Sequence, residues 1–259
     1  GANIKRQIES LKKKPALIVG SAPRVQELHR LGKLKLAGVK ILVLDEFDRL
    51  LGKQQLDAVR AVVCLLPPER QALLLSATAG TAAVRMAESL FAPRLIRAEG
   101  TNGSYENYYH IVPFRDKIKA VQKLTRRLPV RRGLVFVGRS FDAAHALEKL
   151  RFEGIKAVAL LGQERRDQRR AALDAIRAGR AELLISTDLA ARGLDIEDVD
   201  YVIHLDLPED VRTYRHRAGR TARAGKEGAV ISLVDEKEMD KLKALTARME
   251  IELSCLPRA

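Results

Sequence analysis

The stretch from Tyr214 to Gly225 concentrates permanent positive charge at helical spacing. His216, Arg217, Arg220 and Arg223 are spaced for one short helical face, and no acidic residue separates them. Because like charges on one helix face repel, an anionic ligand is needed to offset the repulsion. Planar guanidinium groups match phosphate oxygens better than lysine ammonium groups do. The stretch therefore predicts contact with a phosphate-bearing ligand; the alternative is a solvated basic face.

A second group of reactive side chains, Asp45-Glu46-Phe47-Asp48, directly follows the apolar run Ile41–Leu44. A carboxylate at the end of a strand can hold Mg²⁺, usually through water, while its neighbour orients or deprotonates an attacking water molecule. Acidic residues after a strand are also common helix caps. In isolation, the four residues favour neither interpretation.

Two segments rich in hydroxyl groups also follow apolar runs. Ser76-Ala77-Thr78 could bind a ligand or simply cap the helix that the pattern predicts from Thr81. The segment Ser186–Asp195 offers hydroxyl and backbone N–H groups for phosphates, and Asp195 for a sugar hydroxyl. Its structural alternative is a turn stabilised by Asp188 and Arg192.

Short apolar runs alternate with amphipathic segments along the whole chain, which is typical of an α/β fold with mainly parallel sheets covered by helices. The predicted strands are Ala16–Val19, Ile41–Leu44, Ala72–Leu75, Leu95–Ile96, Leu134–Val137, Ala157–Leu160, Leu183–Ile185, Tyr201–Ile203 and Val230–Leu233. The predicted helices are Gln54–Leu65, Thr81–Phe91, Arg115–Leu128, Ala143–Phe152, Arg165–Arg177 and Glu236–Arg248. Turn-forming residues predict a linker over 99–105, between domains at 1–98 and 106–259. Ligands of such sheets bind beyond the carboxyl ends of the strands, where every reactive segment falls.

Composition narrows the class of partner. The 259 residues carry a formal net charge of +14, which favours a polyanion, and only 4% aromatic residues, which disfavours a base-stacking platform. Cys64 and Cys255 are far apart, so we expect two buried free thiols and neither a zinc site nor a disulfide scaffold. No apolar run approaches the ~20 residues of a membrane span. We therefore expect a cytoplasmic, monomeric protein that binds the sugar-phosphate backbone of a nucleic acid.

Taken in order, these segments resemble the DEAD-box family of ATP-dependent RNA helicases, and the resemblance covers essentially the whole chain. The matching segments are Gly1–Gln7, Gly20–Arg24, Asp45–Asp48, Ser76–Thr78, Thr187–Asp195 and His216–Arg223. The last segment is highly specific, and the ordered set is more specific still. The family implies two RecA-like domains, with ATP in the cleft between them and RNA across both.

The resemblance also implies roles for individual residues. Asp45 would position Mg²⁺ through water and Glu46 would be the general base. Asp48 would link to Ser76, Thr78 and His216, joining hydrolysis to the RNA side. Asp195 would bind the ribose of ATP, Arg220 and Arg223 would be arginine fingers on the γ-phosphate, and Gly193 is expected beside the nucleotide and along the RNA. The other residues expected along the RNA phosphates are Arg24, Arg139, Gly162, Arg169, Thr187 and Arg192.

The chain departs from the family pattern in several places. Phe47 stands where the family has alanine, a change that could alter the contact between the domains. Pro23 takes a glycine position, which puts the loop shape in question. Arg166 replaces the glutamine of Gln-x-x-Arg, and Gly162-Gln163 replaces Gly-Asp.

The sequence contains no G-x-x-x-x-G-K-[ST] loop to cradle the β- and γ-phosphates. The family's adenine-recognition segment and first RNA motif are also missing, and all three would precede Gly1. We therefore expect an incomplete stretch of a longer protein, with a truncated first domain and no ATP hydrolysis of its own. The alternatives are a non-catalytic RNA-binding scaffold and a DNA-acting helicase relative. An intact loop encoded upstream would favour the enzyme, and a true start at Gly1 the scaffold.

Overall fold

The structure of the protein is a computed structural model. It describes residues 3–76, 78–96, 105–128, 131–138, 140–162, 164–191, 196, 199–222 and 226–256. The chain divides into two compact units, Gly1–Ala98 and Glu99–Ala259, called unit 1 and unit 2 below. Residues 99–104 of the predicted linker lie outside the described residues, while Tyr105 already begins a strand.

Unit 1 places a two-stranded parallel sheet among five helices in its described residues. In chain order these are α1 (Ile4–Lys12), α2 (Ala22–Arg30), β1 (Ile41–Asp45), α3 (Phe47–Leu50), α4 (Leu56–Cys64), β2 (Gln71–Leu75) and α5 (Thr81–Phe91). The strands pair with Val43 opposite Leu73 and Asp45 opposite Leu75. Leu42, Leu44 and Leu74 pack against the helices, so the carboxyl ends of both strands are held side by side.

Two strands predicted in unit 1 are wrong. Ala16–Val19 forms no strand, and Leu17 and Val19 are 77% and 89% exposed. Leu95–Ile96 also forms no strand, and both side chains are exposed. An apolar run becomes a strand only where a neighbouring strand accepts its backbone hydrogen bonds. Within the described part of unit 1, the β1–β2 pair does not extend to either segment.

Unit 2 contains a seven-stranded sheet in the order β5-β6-β4-β7-β8-β3-β9, with every described pairing parallel. Its strands are β3 (Tyr105–Ile111), β4 (Gly133–Phe136), β5 (Ala157–Leu160), β6 (Leu183–Ser186), β7 (Tyr201–His204), β8 (Gly228–Val234) and β9 (Ser254–Cys255). Its helices are a 3₁₀ turn at Phe114–Asp116, α6 (Lys117–Arg127), α7 (Ser140–Phe152), α8 (Arg166–Arg177), α9 (Asp188–Ala191), α10 (Val211–Ala218) and α11 (Met239–Ala247). Two apolar clusters cover the two faces of the sheet, which confirms the predicted α/β class.

Unit 2 also contains a strand that the sequence analysis missed. β3 reads Tyr-Glu-Asn-Tyr-Tyr-His-Ile and lacks the apolar run used to recognise the other strands. It pairs with β8 over seven residues, from Tyr105 opposite Gly228 to Ile111 opposite Val234. Because β8 supplies both the hydrogen bonds and a buried neighbour, a polar sequence becomes a strand here.

The two cysteines correct another expectation. Cys64 and Cys255 are free, as expected, but both are exposed. Cys64 is the last residue of α4 and Cys255 lies in the edge strand β9, where neither faces a core. Among the described helices, none is long and apolar enough to cross a membrane.

Candidate functional site

The carboxyl end of β1 presents two adjacent carboxylates. Asp45 is exposed, and its Oδ1 accepts a hydrogen bond from the backbone N–H of Glu46 at 3.0 Å. Glu46 adopts a left-handed conformation (φ 51°, ψ 46°) that residues other than glycine rarely take. It precedes α3, but its side chain makes no capping hydrogen bond, so helix capping does not account for it. The turn leaves both acids at the strand end, with the Glu46 carboxylate 3.9 Å from the Arg49 guanidinium.

Asp48 joins this acidic segment to the end of the neighbouring strand. Thr78 donates its hydroxyl to Asp48 Oδ2 at 2.9 Å, and Ser76 Oγ accepts from the Thr78 backbone N–H at 3.0 Å. Three of the four residues expected to couple hydrolysis to RNA are therefore linked within unit 1. His216, the fourth, lies on α10 in unit 2, so its contact with Asp48 stays a prediction.

Phe47 lies inside unit 1. Its side chain is only 7% exposed and packs with Leu44, Leu51 and Val59. The ring that replaces the family's alanine is thus part of the core beneath α3. Burying a phenyl ring of this size stabilises the folded state by about 2 kcal/mol.

Arg24 lies in the first turn of α2, near the unpaired segment 15–19. Pro23 occupies the start of this helix, where its fixed φ and missing N–H are well tolerated, so the proline begins a helix and does not distort a loop. Arg24 contacts Glu27 at 3.1 Å and is 30% exposed. Together with Arg6 it lines a groove of roughly 640 Å³.

In unit 2, the ends of β5 and β6 meet through side-chain contacts. Arg169 on α8 donates to the Ala190 carbonyl at 3.2 Å, and the Thr187 hydroxyl accepts from the Ala190 N–H at 3.3 Å. Gly162 follows β5 with φ +91°, and a Cβ built on it would lie 3.7 Å from the Ala190 Cβ. The structure thus gathers Gly162, Arg169 and Thr187 around the short helix α9.

Glu164 places a negative charge in the same region. Its carboxylate accepts hydrogen bonds from the backbone N–H groups of Leu161 and Gly162, the latter at 2.9 Å. Two adjacent N–H groups at a strand end are a typical anion-binding arrangement. Here the protein's own carboxylate occupies them.

Arg217 is buried, although the sequence analysis counted it among the phosphate-facing arginines. It is 2% exposed and pairs through Nε and Nη2 with both carboxylate oxygens of Asp188, at 2.7 and 2.8 Å. The predicted alternative for this loop paired Asp188 with Arg192. Among the described residues, Asp188 pairs with Arg217. Arg192 lies outside them, so its pairing with Asp188 stays a prediction.

Arg220 and His216 are both partly buried on or just after α10. The Arg220 carbonyl accepts a hydrogen bond from the Val199 N–H at 3.4 Å. The remaining predicted site residues fall outside the described residues: Arg139, Arg192, Gly193, Asp195 and Arg223. Within the described residues, no group of three or more His, Cys, Asp or Glu side chains could hold a metal ion.

Comparison with known proteins decides the family. The model for DEAD/DEAH box helicases matches residues 1–86, and the model for the helicase conserved C-terminal domain matches residues 116–225. The probable ATP-dependent RNA helicase YfmL of Bacillus subtilis is 38% identical over 98% of this chain and 68% of its own length. The chain belongs to the DEAD-box helicase family.

The DEAD-box chain also resembles longer relatives. The DEAD-box ATP-dependent RNA helicase CshC of Bacillus cereus is 41% identical over 97% of this chain, which spans 65% of that relative. Dbp5 of S. cerevisiae bound to RNA and ADP BeF3 is 31% identical, with a TM-score of 0.81 over 93% of this chain and 65% of Dbp5. The chain thus spans about two thirds of the length of these proteins. The likeness confirms the predicted family and its RecA-like architecture.

Two residues close to the DEAD-box motif segments, Asp206 and His204, were not predicted from the sequence. Asp206 accepts the Gly138 N–H at 2.7 Å, and His204 is completely buried with its Nδ1 3.1 Å from Ser232 Oγ. Burial lowers the pKa of His204 well below its usual value, and the positive charge of Arg217 lowers it further. Burial likewise raises the pKa of Tyr214. The available signal was the position of Asp206 two residues after a strand, the same offset as Asp188 after β6.

Proposed function

We propose that this DEAD-box protein is an ATP-dependent RNA helicase, an RNA-stimulated ATPase that unwinds or remodels short RNA duplexes. The observation that carries the proposal is the hydrogen bond between Thr78 and Asp48. It connects two segments 30 residues apart at neighbouring strand ends, and Asp48 lies three residues from Asp45. Residues suited to hydrolysis are thereby joined to a loop that can respond to RNA.

The proposed nucleotide chemistry depends on the acids Asp45 and Glu46 and on the arginines Arg220 and Arg223. The exposed Asp45 carboxylate suits Mg²⁺ through water, since hard cations prefer oxygen ligands. Bound Mg²⁺ would neutralise phosphate charge. Glu46 takes the proton of the attacking water, and Arg220 and Arg223 stabilise the γ-phosphate charge, a contribution of ~10³–10⁵ in rate for arginine fingers elsewhere. Asp195, together with Gly193 two residues earlier in the sequence, binds the ribose.

The proposed RNA site contacts the sugar-phosphate backbone of the RNA. Arg24 and Arg169 supply positive charge on α2 and α8. Gly162 is exposed after β5, and Thr187 directly follows β6, where its side chain is buried. Arg139 and Arg192 complete the set. The similar Dbp5 was solved bound to both RNA and ADP BeF3, which supports the assignment of both ligands to one fold. We place the protein in the cytoplasm.

The 259-residue chain by itself is a separate case. Its sequence contains no G-x-x-x-x-G-K-[ST] loop, so no lysine cradles the β- and γ-phosphates. We propose that this chain binds RNA and does not hydrolyse ATP. RNA-stimulated hydrolysis by the chain would contradict this.

Glu46→Gln in the full-length protein tests the function. The amide keeps the size of the side chain but cannot accept a proton, so RNA-stimulated turnover is expected to be abolished while ATP binding is largely retained. Glu69→Gln is the matched control, because it removes one exposed carboxylate from the same unit away from the strand end. Normal turnover in Glu46→Gln would refute the assignment of the general base.

A non-catalytic RNA scaffold is the second candidate, favoured by the missing loop and by the net charge of +14. The same assay separates the two functions. The scaffold predicts that the full-length wild-type protein binds RNA without any RNA-stimulated ATP hydrolysis. The helicase predicts hydrolysis that disappears in Glu46→Gln.

A further inference from the structure

Arg217 is fully engaged inside unit 2. Besides the two bonds to Asp188, its Nη1 donates to the Asp206 carbonyl at 2.7 Å. Its guanidinium lies over the Phe136 ring, 4.8 Å from the ring centroid. All three terminal nitrogens of the side chain therefore have a partner within the same unit, and 2% exposure leaves no surface for a phosphate.

These contacts join three neighbouring strand ends. Phe136 of β4 is in register with Ser186 of β6 and with His204 of β7. Asp188 and Asp206 lie two residues beyond those aligned positions on β6 and β7. One side chain from α10 thus contacts the residues that follow β6 and β7, the two strands on either side of β4.

The third loop is attached through Asp206. Gly138 lies two residues beyond Phe136, and its N–H donates to Asp206 Oδ2 at 2.7 Å. A Cβ on Gly138 would lie only 3.3 Å from that oxygen, so the two loops approach closely. Arg217 thus donates to the backbone carbonyl of Asp206, and the carboxylate of Asp206 accepts from the N–H of Gly138.

The segments after β4 and β6 carry ligand residues of the proposed function, whereas the segment after β7 contributes Asp206, which contacts both Arg217 and Gly138. Gly138 precedes Arg139, Asp188 follows Thr187, and α9 leads to Arg192 and Asp195. We propose that Arg217 is a positioning residue. It holds the segments that follow β4, β6 and β7 in the arrangement that binds RNA, and it does not contact RNA itself. The proposal rests on the RNA-binding function proposed above.

A bidentate arginine is suited to this task. Its planar guanidinium group binds both carboxylate oxygens of Asp188 at once, and stacking on the Phe136 ring fixes the orientation of the guanidinium plane. A buried charge without partners would be costly, so loss of either member disturbs the loops that the pair holds. Ligand groups that lose their supporting contacts bind more weakly even though they remain present.

The experiment measures binding of a fluorescein-labelled single-stranded RNA by the chain over a range of salt concentrations. Arg217→Gln, Asp188→Asn and the double variant are compared with Arg215→Gln. Arg215 lies on the same helix, is exposed, and loses the same charge in the control. Urea unfolding followed by tyrosine fluorescence verifies that each variant is folded under the binding conditions.

Arg217→Gln and Asp188→Asn are each expected to weaken RNA binding about tenfold. This is the size of effect found when a residue that hydrogen-bonds to a metal-binding side chain is removed. The double variant is expected to bind RNA no more weakly than either single variant, because each single substitution already removes the same Arg217–Asp188 interaction. The salt dependence should be the same for Arg217→Gln and Arg215→Gln. Asp188→Asn is the most informative variant, since removing a negative charge would strengthen RNA binding if only electrostatics mattered.

Three results would overturn the proposal. A slope of log affinity against log salt that is shallower by about 0.7 in Arg217→Gln than in Arg215→Gln would mean direct phosphate contact. Wild-type RNA affinity in folded Arg217→Gln or Asp188→Asn, with only a lower urea midpoint, would mean a purely structural role. Absence of RNA binding by the wild-type chain would refute the proposed function itself, and the positioning role with it.

Discussion

At the scale of single residues, His204 shows what complete burial does to a titratable group. The ring is fully buried at the end of β7, in edge contact with Phe136 and Tyr214. Nδ1 pairs with Ser232, while Nε2 has no hydrogen-bond partner among the described residues. The positive charge of Arg217 further disfavours protonation of the ring. Burial and the charge of Arg217 therefore favour the neutral imidazole, and the pKa is lowered.

This burial predicts a pH-dependent stability of unit 2. Above the unfolded pKa of about 6.5 the histidine is neutral in both states and contributes no pH dependence. Below that value the unfolded chain binds a proton that the folded chain does not, so the free energy of unfolding falls by up to ~1.4 kcal/mol per pH unit. His204→Asn should remove this slope between pH 6.5 and 5.

Tyrosine fluorescence during urea unfolding is a suitable measurement, because all five tyrosines lie between residues 105 and 214 and the chain has no tryptophan. The signal therefore reports unit 2 alone. His145→Asn is the control, since His145 is an exposed histidine in the same unit. Equal pH slopes in the wild type and in His204→Asn would contradict the prediction.

Residue types predicted some contacts of the site and missed others. Asp48, Ser76 and Thr78 were expected to act together and are hydrogen-bonded. Arg217 was instead counted with the ligand-facing arginines, although it lies three residues from Tyr214 and beside Ala218. Both of those are completely buried, so Arg217 shares the inner face of α10. Spacing shows which residues share a helix face, but the tertiary structure decides which face is buried.

At the scale of elements, all six predicted helices formed, whereas two of the nine predicted strands did not; the helices α1, α2, α3 and α9 were not predicted. α5 runs from Thr81 to Phe91, as the periodicity predicted, because a helix satisfies its hydrogen bonds within its own segment. Ile41–Leu44 became a strand because β2 lies beside it, whereas Ala16–Val19 is equally apolar and did not. Strand formation depends on a distant partner, and the local pattern does not contain that information.

The connection between β5 and α8 predicts an unusual gain of function. The Glu164 carboxylate occupies the N–H groups of Leu161 and Gly162, where we place an RNA phosphate. Glu164→Gln removes a negative charge and weakens this internal competition. We expect affinity for single-stranded RNA to rise about threefold to tenfold, since a charge-assisted hydrogen bond is roughly twice as strong as a neutral one.

Asp167→Asn provides the control for this change. Asp167 is exposed in the first turn of α8 and pairs with Arg165 on the surface, so its removal changes the local charge equally without freeing the two N–H groups. Glu164→Gln should therefore strengthen RNA binding more than Asp167→Asn does. Equal effects would show that Glu164 acts only through its charge.

At the scale of the whole molecule, positive charge is unevenly distributed. Residues 1–98 contain 17 Lys and Arg against eight Asp and Glu, and the first 40 residues contain ten against two. Residues 99–259 contain 30 against 25. Unit 1 thus carries +9 of the net +14, and +8 of that comes from the first 40 residues, which include α1 and α2. Such an excess attracts any polyanion and does not by itself distinguish RNA from DNA.

Salt dependence separates this general attraction from recognition of RNA. If about four cations reach phosphates, the affinity of the chain for a single strand should fall roughly 50-fold between 50 and 200 mM salt. DNA and RNA oligonucleotides of one sequence carry the same phosphates, so their plots of log affinity against log salt should be parallel. Contacts to the 2′-hydroxyl should add a constant preference for RNA at every salt concentration. Coincident lines would mean that the charge alone binds nucleic acid, and would favour a general polyanion binder over an RNA helicase.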